Sequence, residues 1–88
     1  MNNWGVYILE CKDGSLYTGV TPDINRRFQE HKEGRGGRYT RLSKVDEIVY
    51  CENYLTRKEA LKRERQIKGW RREKKENLIK YRNPKEPV

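Results

Sequence analysis

The chain has 88 residues, with 21 Lys and Arg against 13 Asp and Glu, and a formal net charge of +8. That length suits one domain, and the longest uncharged apolar run, Val6-Tyr7-Ile8-Leu9, falls far short of the ~20 residues of a membrane span. No apolar stretch like that of a secretory leader follows Met1, so the expected location is the cytoplasm.

Leu, Ile, Val and Phe make up only 17 of the 88 residues. With so high a charge, that lies near the disordered class. Six Tyr and two Trp offset it, because each ring buries roughly 150–250 Å². Cys11 and Cys51 form no CxxC pair and have no His near them in sequence. They are expected as buried thiols in strands, not as zinc ligands or a disulfide.

In chain order, residues 4–11 (WGVYILEC) are apolar on both alternating faces, as in a strand covered on two sides. Asp13-Gly14 signals a tight turn, and residues 15–20 (SLYTGV) complete a hairpin. Thr21-Pro22-Asp23 reads as a helix start with Thr21 at the cap and Pro22 first in the helix. That helix runs to about Glu33 and stops at Gly34, with Arg27 and His31 four apart on one strip. For His31 alone, the simple reading is a polar residue favoured by the helix C-terminal dipole. Residues 34–44 are expected to be a loop, supple with glycine and free of acids.

Residues 46–54 (DEIVYCENY) read as a third strand. Thr56 and Glu59 form a capping box for a helix that ends at Gly69. A last helix, from about Arg71 to Tyr81, sets Trp70, Leu78 and Tyr81 on one face, and the tail from Asn83 is expected to fray. One domain over residues 1–82 follows.

Two features stand apart. Residues 57–75 carry ten Lys or Arg against three Glu, a field that attracts polyanions. Within that segment, at 100° per residue, Glu64 falls about 40° from Ala60 and about 60° from Ile67, inside the apolar arc of its helix. A carboxylate there needs a partner. An arginine or tyrosine would make it structural, and a metal ion facing a cleft would make it functional.

Together these residues resemble the GIY-YIG nuclease superfamily. Gly5-Val6-Tyr7 and, ten residues past Tyr7, Tyr17-Thr18-Gly19 stand where its paired tripeptides stand. Arg27, His31, Gly34, Tyr39-Thr40 and the run Ala60-Leu61-x-x-Glu64-x-x-Ile67-Lys68 follow in family order, over about residues 3–80. The likeness is greatest to small stand-alone bacterial proteins of that kind. It implies an α+β fold, a small three-stranded antiparallel sheet flanked by helices in the order β-β-α-β-α-α, which agrees with the elements above. It also implies hydrolysis of DNA phosphodiesters with one divalent ion, Mg²⁺ or Mn²⁺.

By the same resemblance, Glu64 holds the metal and Arg27 clamps phosphate oxygens. Tyr7 and Tyr17 position water or phosphate, and one serves as general base if its pKa is lowered. His31 relays a proton, and Gly19 admits a close approach of backbone to phosphate. Arg35, Arg38, Arg41, Lys68, Lys74 and Asn77 are the expected nucleic-acid contacts. Two positions depart from the fullest pattern: Val20 stands where several members have Lys, and Asn77, thirteen past Glu64, is an approximate match for a family Asn. The expected role is in DNA repair, recombination or processing of single-stranded or branched DNA. The protein would act as a monomer, targeted by DNA shape or a protein partner. The alternatives are a non-catalytic nucleic-acid-binding module and an RNA- or ribosome-associated protein.

Overall fold

The structure, a computed structural model, describes residues 3–81. Its elements are β1 (Trp4–Cys11), β2 (Leu16–Thr21), α1 (Ile24–Lys32), α2 (Arg38–Ser43), β3 (Val45–Tyr54), α3 (Arg57–Lys68) and α4 (Arg72–Tyr81). The three strands form one antiparallel sheet in the order β2-β1-β3. Among the described residues no helix is long and apolar enough to cross a membrane.

β1 is central, and both its faces are covered. Val6 and Ile8 pack with Ala60 and Ile67 of α3 and Leu78 of α4. Tyr7, Leu9 and Cys11 point the other way and pack with Ile24 and Phe28 of α1. Period-two alternation along one strand thus serves two helical layers. Cys11 is buried and Cys51 half-buried, both in strands and both unbridged.

The β1–β2 turn closes as its sequence requires. Asp13 accepts from the Ser15 backbone N–H at 2.9 Å, and Gly14 takes φ +88°. Thr56 caps α3 by accepting from the Glu59 N–H at 3.2 Å, and its hydroxyl donates to the Glu59 carboxylate at 3.1 Å. From β3 the Glu52 carboxylate accepts from Tyr50 (2.5 Å), Tyr54 (3.0 Å) and the Arg63 Nε of α3 (2.5 Å). That half-buried cluster fastens α3 to the sheet edge opposite β2.

Four expectations are corrected. Thr21 does not cap α1, because it still pairs with Gly5 in the sheet. Asp23 caps instead, accepting from the Arg26 N–H at 3.1 Å, and Pro22 lies outside the helix. Residues 34–44 are not all loop: α2 forms between Gly37 (φ +144°) and Lys44 (φ +58°), the two residues that turn the chain in and out of it. Tyr81 leaves the apolar face of α4 and is 48% exposed, with Lys80 over its ring. The tail from Asn83 lies outside the described residues.

Across the hairpin, Tyr7 pairs with Gly19. A Cβ at residue 19 would meet Tyr7 Oη at 2.4 Å and Cζ at 2.5 Å, so the ring lies across β2 in the space that a side chain there would fill. Gly19→Ala is therefore expected to cost about 1–3 kcal/mol by overpacking. In a Tyr7→Ala background the same change should cost almost nothing. Thermal melts of the four proteins of this cycle check the coupling, and additive losses would refute it.

Candidate active site

The site is built where β1, β2 and α1 meet. The Tyr7 ring, laid over Gly19, brings its hydroxyl to His31 Nε2 at 2.9 Å. Each of these two residues is 1% exposed. Tyr17, two residues before Gly19 on β2, turns its half-buried ring edge-on to His31 at 5.2 Å and lies 6.4 Å from Tyr7. Three rings from three elements thus share one small volume.

One turn before His31 on α1, Arg27 enters the same space. Its guanidinium donates to the Gly36 carbonyl at 2.6 Å and to Glu30 at 3.0 Å, and it also lies against the Tyr7 hydroxyl. Gly36 is buried because the chain after α1 folds back over His31. A Cβ at residue 36 would fall 2.2 Å from His31 Nδ1, so only glycine fits. Glu64 reaches the site from α3, and its charge is felt at Tyr7. Its side chain is 17% exposed and pairs with Lys68 at 3.0 Å.

This packing sets the charge states. Burial pushes the Tyr7 phenol up to about 12; the Arg27 hydrogen bond pulls it down, while Tyr17 and Glu64 add to the rise. Burial also pushes His31 down to about 4, helped by the Arg27 charge and opposed by Glu30. At neutral pH the pair is an uncharged phenol and an uncharged imidazole. With the imidazole proton on Nδ1, Tyr7 donates to Nε2.

Three site expectations change accordingly. The condition set for a tyrosine base, a lowered pKa, is not met at Tyr7, where desolvation moves it upward. His31 is not a cation facing the helix dipole but a buried neutral ring. Gly19 serves Tyr7: its missing side chain accommodates that ring, so a close approach of backbone to phosphate is not needed to explain it.

The structure thus brings Tyr7, Tyr17, Arg27 and His31 together, and the charge of Glu64 on α3 acts on Tyr7. The six expected nucleic-acid contacts are dispersed. Arg35 is ion-paired with Glu33, and Arg38 and Arg41 are exposed on α2. Lys68 neutralises Glu64, Lys74 lies 4.3 Å over the Trp70 ring, and Asn77 is half-buried on α4. Sequence reasoning missed Glu30 and Gly36. The Arg27-Glu30 spacing of three was available as a helical ion pair; nothing local marks Gly36 as the cover of His31.

Among the described residues no three His, Cys, Asp or Glu side chains converge on a point that would hold a metal ion. A single carboxylate, such as Glu64, does suit Mg²⁺ or Mn²⁺, which keep water and phosphate as their other ligands.

The depressed His31 pKa ties stability to pH. Between its ordinary value of 6.5 and about 4 the unfolded chain binds the proton and the folded chain does not. Stability should therefore fall as pH drops through that window. Urea melts at pH 7, 5.5 and 4.5 should show the loss in the wild type and a much flatter response in His31→Gln. Parallel curves would refute the assignment.

Comparison with known proteins agrees with this geometry. Residues 3–77 match the GIY-YIG catalytic domain. UPF0213 proteins of Staphylococcus aureus strains Mu3 and N315 are 49% identical over 82 residues, covering 93% of this chain and 100% of theirs. The solution structure of the UPF0213 protein BH0048 of Bacillus halodurans is 43% identical, with a TM-score of 0.59, over 90% of this chain and 84% of that one. The protein EF2693 of E. faecalis is 37% identical, with a TM-score of 0.63, over 92% and 86%. Four side chains of the family pattern, on β1, β2 and α1, meet in one site, a fifth on α3 acts on it by its charge, the family's domain is matched over residues 3–77, and the protein belongs to the GIY-YIG catalytic domain family and, within it, to the UPF0213 proteins.

Proposed function

We propose that the protein is an endonuclease that hydrolyses DNA phosphodiesters with one divalent ion, in repair, recombination or the processing of single-stranded or branched DNA. The observation that carries this reading is the meeting of a neutral Tyr7–His31 pair with Arg27 and Glu64. Glu64 would hold Mg²⁺ or Mn²⁺ in place of the Lys68 ammonium, and the ion would supply Lewis acidity toward the phosphate and the leaving oxygen.

The chain's own groups do the rest. Arg27 offers a planar fork to two non-bridging oxygens, exchanging its present acceptors, Glu30 and the Gly36 carbonyl, for phosphate. His31 accepts the Tyr7 proton, which fixes the hydroxyl and turns the Tyr7 oxygen lone pairs toward Arg27 and water. As water attacks phosphorus, its proton passes to Tyr7 Oη while the Tyr7 proton passes to His31 Nε2; the bond from phosphorus to the leaving sugar oxygen breaks, and that oxygen takes its proton from solvent. A base held near 4 is weak in the resting site, but negative charge gathering on the phosphate in the transition state favours the imidazolium beside it. Tyr17, less buried than Tyr7, borders the water path.

A second reading has an observation of its own. The Glu64–Lys68 pair at 3.0 Å satisfies the carboxylate without metal, as in a module that binds nucleic acid and does not cut it. Cleavage of labelled single-stranded, duplex, flap and junction DNA separates the two. With Mn²⁺ or Mg²⁺ the wild type should cut at least one substrate. Glu64→Gln should be slower by ~10² or more, and EDTA should abolish cutting. Tyr7→Phe should fall by about 10²–10⁴ if its oxygen receives the proton. Binding without cutting in every lane would overturn the nuclease and favour the module.

A further inference from the structure

The site uses only Glu64 of α3, yet α3 carries most of its cations elsewhere. At 100° per residue with Ala60 as zero, Ile67 and Ala60 define the buried arc and Glu64 stands at its border, near 40°. Beyond that border come Arg57, Lys68, Leu61, Arg65, Lys58 and Lys62, from about 60° to about 200°. The acid Glu59 and the amide Gln66 lie past them, at about 260° and 240°. Lys58, Lys62 and Arg65 are exposed. With half-buried Leu61 they line a surface groove of about 400 Å³.

No acid lines this groove, whereas the groove that holds Lys12, Lys32 and Lys44 also holds Glu33 and Asp46. Arg35, Lys68 and Arg72 are each ion-paired, whereas among the described residues Lys58, Lys62 and Arg65 have no ion pair. Lys58 with Lys62, and Lys62 with Arg65, place like charges four and three apart on one helix, which disfavours the helix itself. A merely solvated face gains from mixed signs at those spacings. Charge kept unpaired at such cost is complementary to an anion brought from outside.

We propose that the outer arc of α3, formed by Lys58, Lys62 and Arg65 with Leu61 between them, is the track for the sugar-phosphate backbone of the DNA strand leading away from Glu64. This deepens the nuclease reading and rests on it for the position of the cut phosphate. Lys58 to Arg65 spans ~10 Å along the axis, a length over which one strand of a duplex presents about three phosphates, ~3.4 Å apart in projection on the duplex axis. Leu61 supplies an apolar surface for the sugars between those phosphates. The helix that carries Glu64 would thus also hold the substrate.

The test is binding without catalysis. Anisotropy titrations of fluorescein-labelled duplex DNA in EDTA, at several salt concentrations, would compare three proteins: the wild type, the triple variant Lys58→Gln/Lys62→Gln/Arg65→Gln, and Lys12→Gln/Lys32→Gln/Lys44→Gln. The last loses the same charge from another groove, which borders His31 and holds Glu33 and Asp46 beside Lys12, Lys32 and Lys44. Each phosphate contact contributes ~0.9 to the slope of log K against log salt. The α3 triple should lower that slope by about 2–3 and weaken binding ~10²-fold at about 0.15 M salt, while the other triple lowers the slope by less than about 1. The three single α3 variants should each remove about 1, and circular-dichroism melts confirm that all are folded. Equal losses in the two triples, a larger loss in the second, or an unchanged α3 triple would overturn the track. Normal binding by the α3 triple while the wild type still cuts refutes the track and leaves the nuclease standing. Lost binding by that triple when the wild type never cuts does the reverse.

Discussion

One contact organises the site: the hydrogen bond between Tyr7 Oη and His31 Nε2, made with both groups 1% exposed. An uncharged phenol and an uncharged imidazole satisfy each other in a place where either ion would be poorly solvated. The contact exists only because two side chains are missing. Gly19 leaves the Tyr7 ring room to cross β2, and Gly36 leaves the chain room to close over His31. Arg27 holds that closure by its bond to the Gly36 carbonyl, and its charge helps keep His31 neutral. Removing either glycine's freedom would displace a ring and break the pair.

The same contact explains how so small a protein combines stability with chemistry. The Tyr7 face of β1 belongs to the core packed by α1, yet the hydroxyl at the end of that ring is the reactive oxygen of the proposed mechanism. Glu64 has the equivalent place on α3, close to Ala60 and Ile67 of the other core cluster. Core and site are therefore not separate layers. The Glu52–Arg63 ion pair holds α3, the helix that carries Glu64, against β3.

Much of this was legible in sequence because it depends on local rules. The β1–β2 hairpin follows from Asp13-Gly14, and α3 from Thr56 and Glu59. Glu64 announced itself as a carboxylate inside an apolar arc. The misses share one physical cause: contacts between residues that no periodicity links. Whether Thr21 caps a helix or ends a strand depends on its pairing with Gly5. α2 is six residues long, too short for a hydrophobic period to mark it. Gly36 looked like loop suppleness until His31 was found beneath it, and the direction of the Tyr7 pKa shift depends on burial that a tripeptide motif does not encode.

The most direct test of the account is a proton NMR titration of the imidazole, unambiguous because the chain has a single histidine. The account predicts that the His31 ring signals hold still from pH 8 to pH 5 and begin to move only toward about 4. In Tyr7→Phe the ring, deprived of its donor, should change tautomer balance without becoming charged at neutral pH. A wild-type titration centred near the ordinary value of 6.5 would contradict the buried neutral pair, and with it the proton path from water through Tyr7.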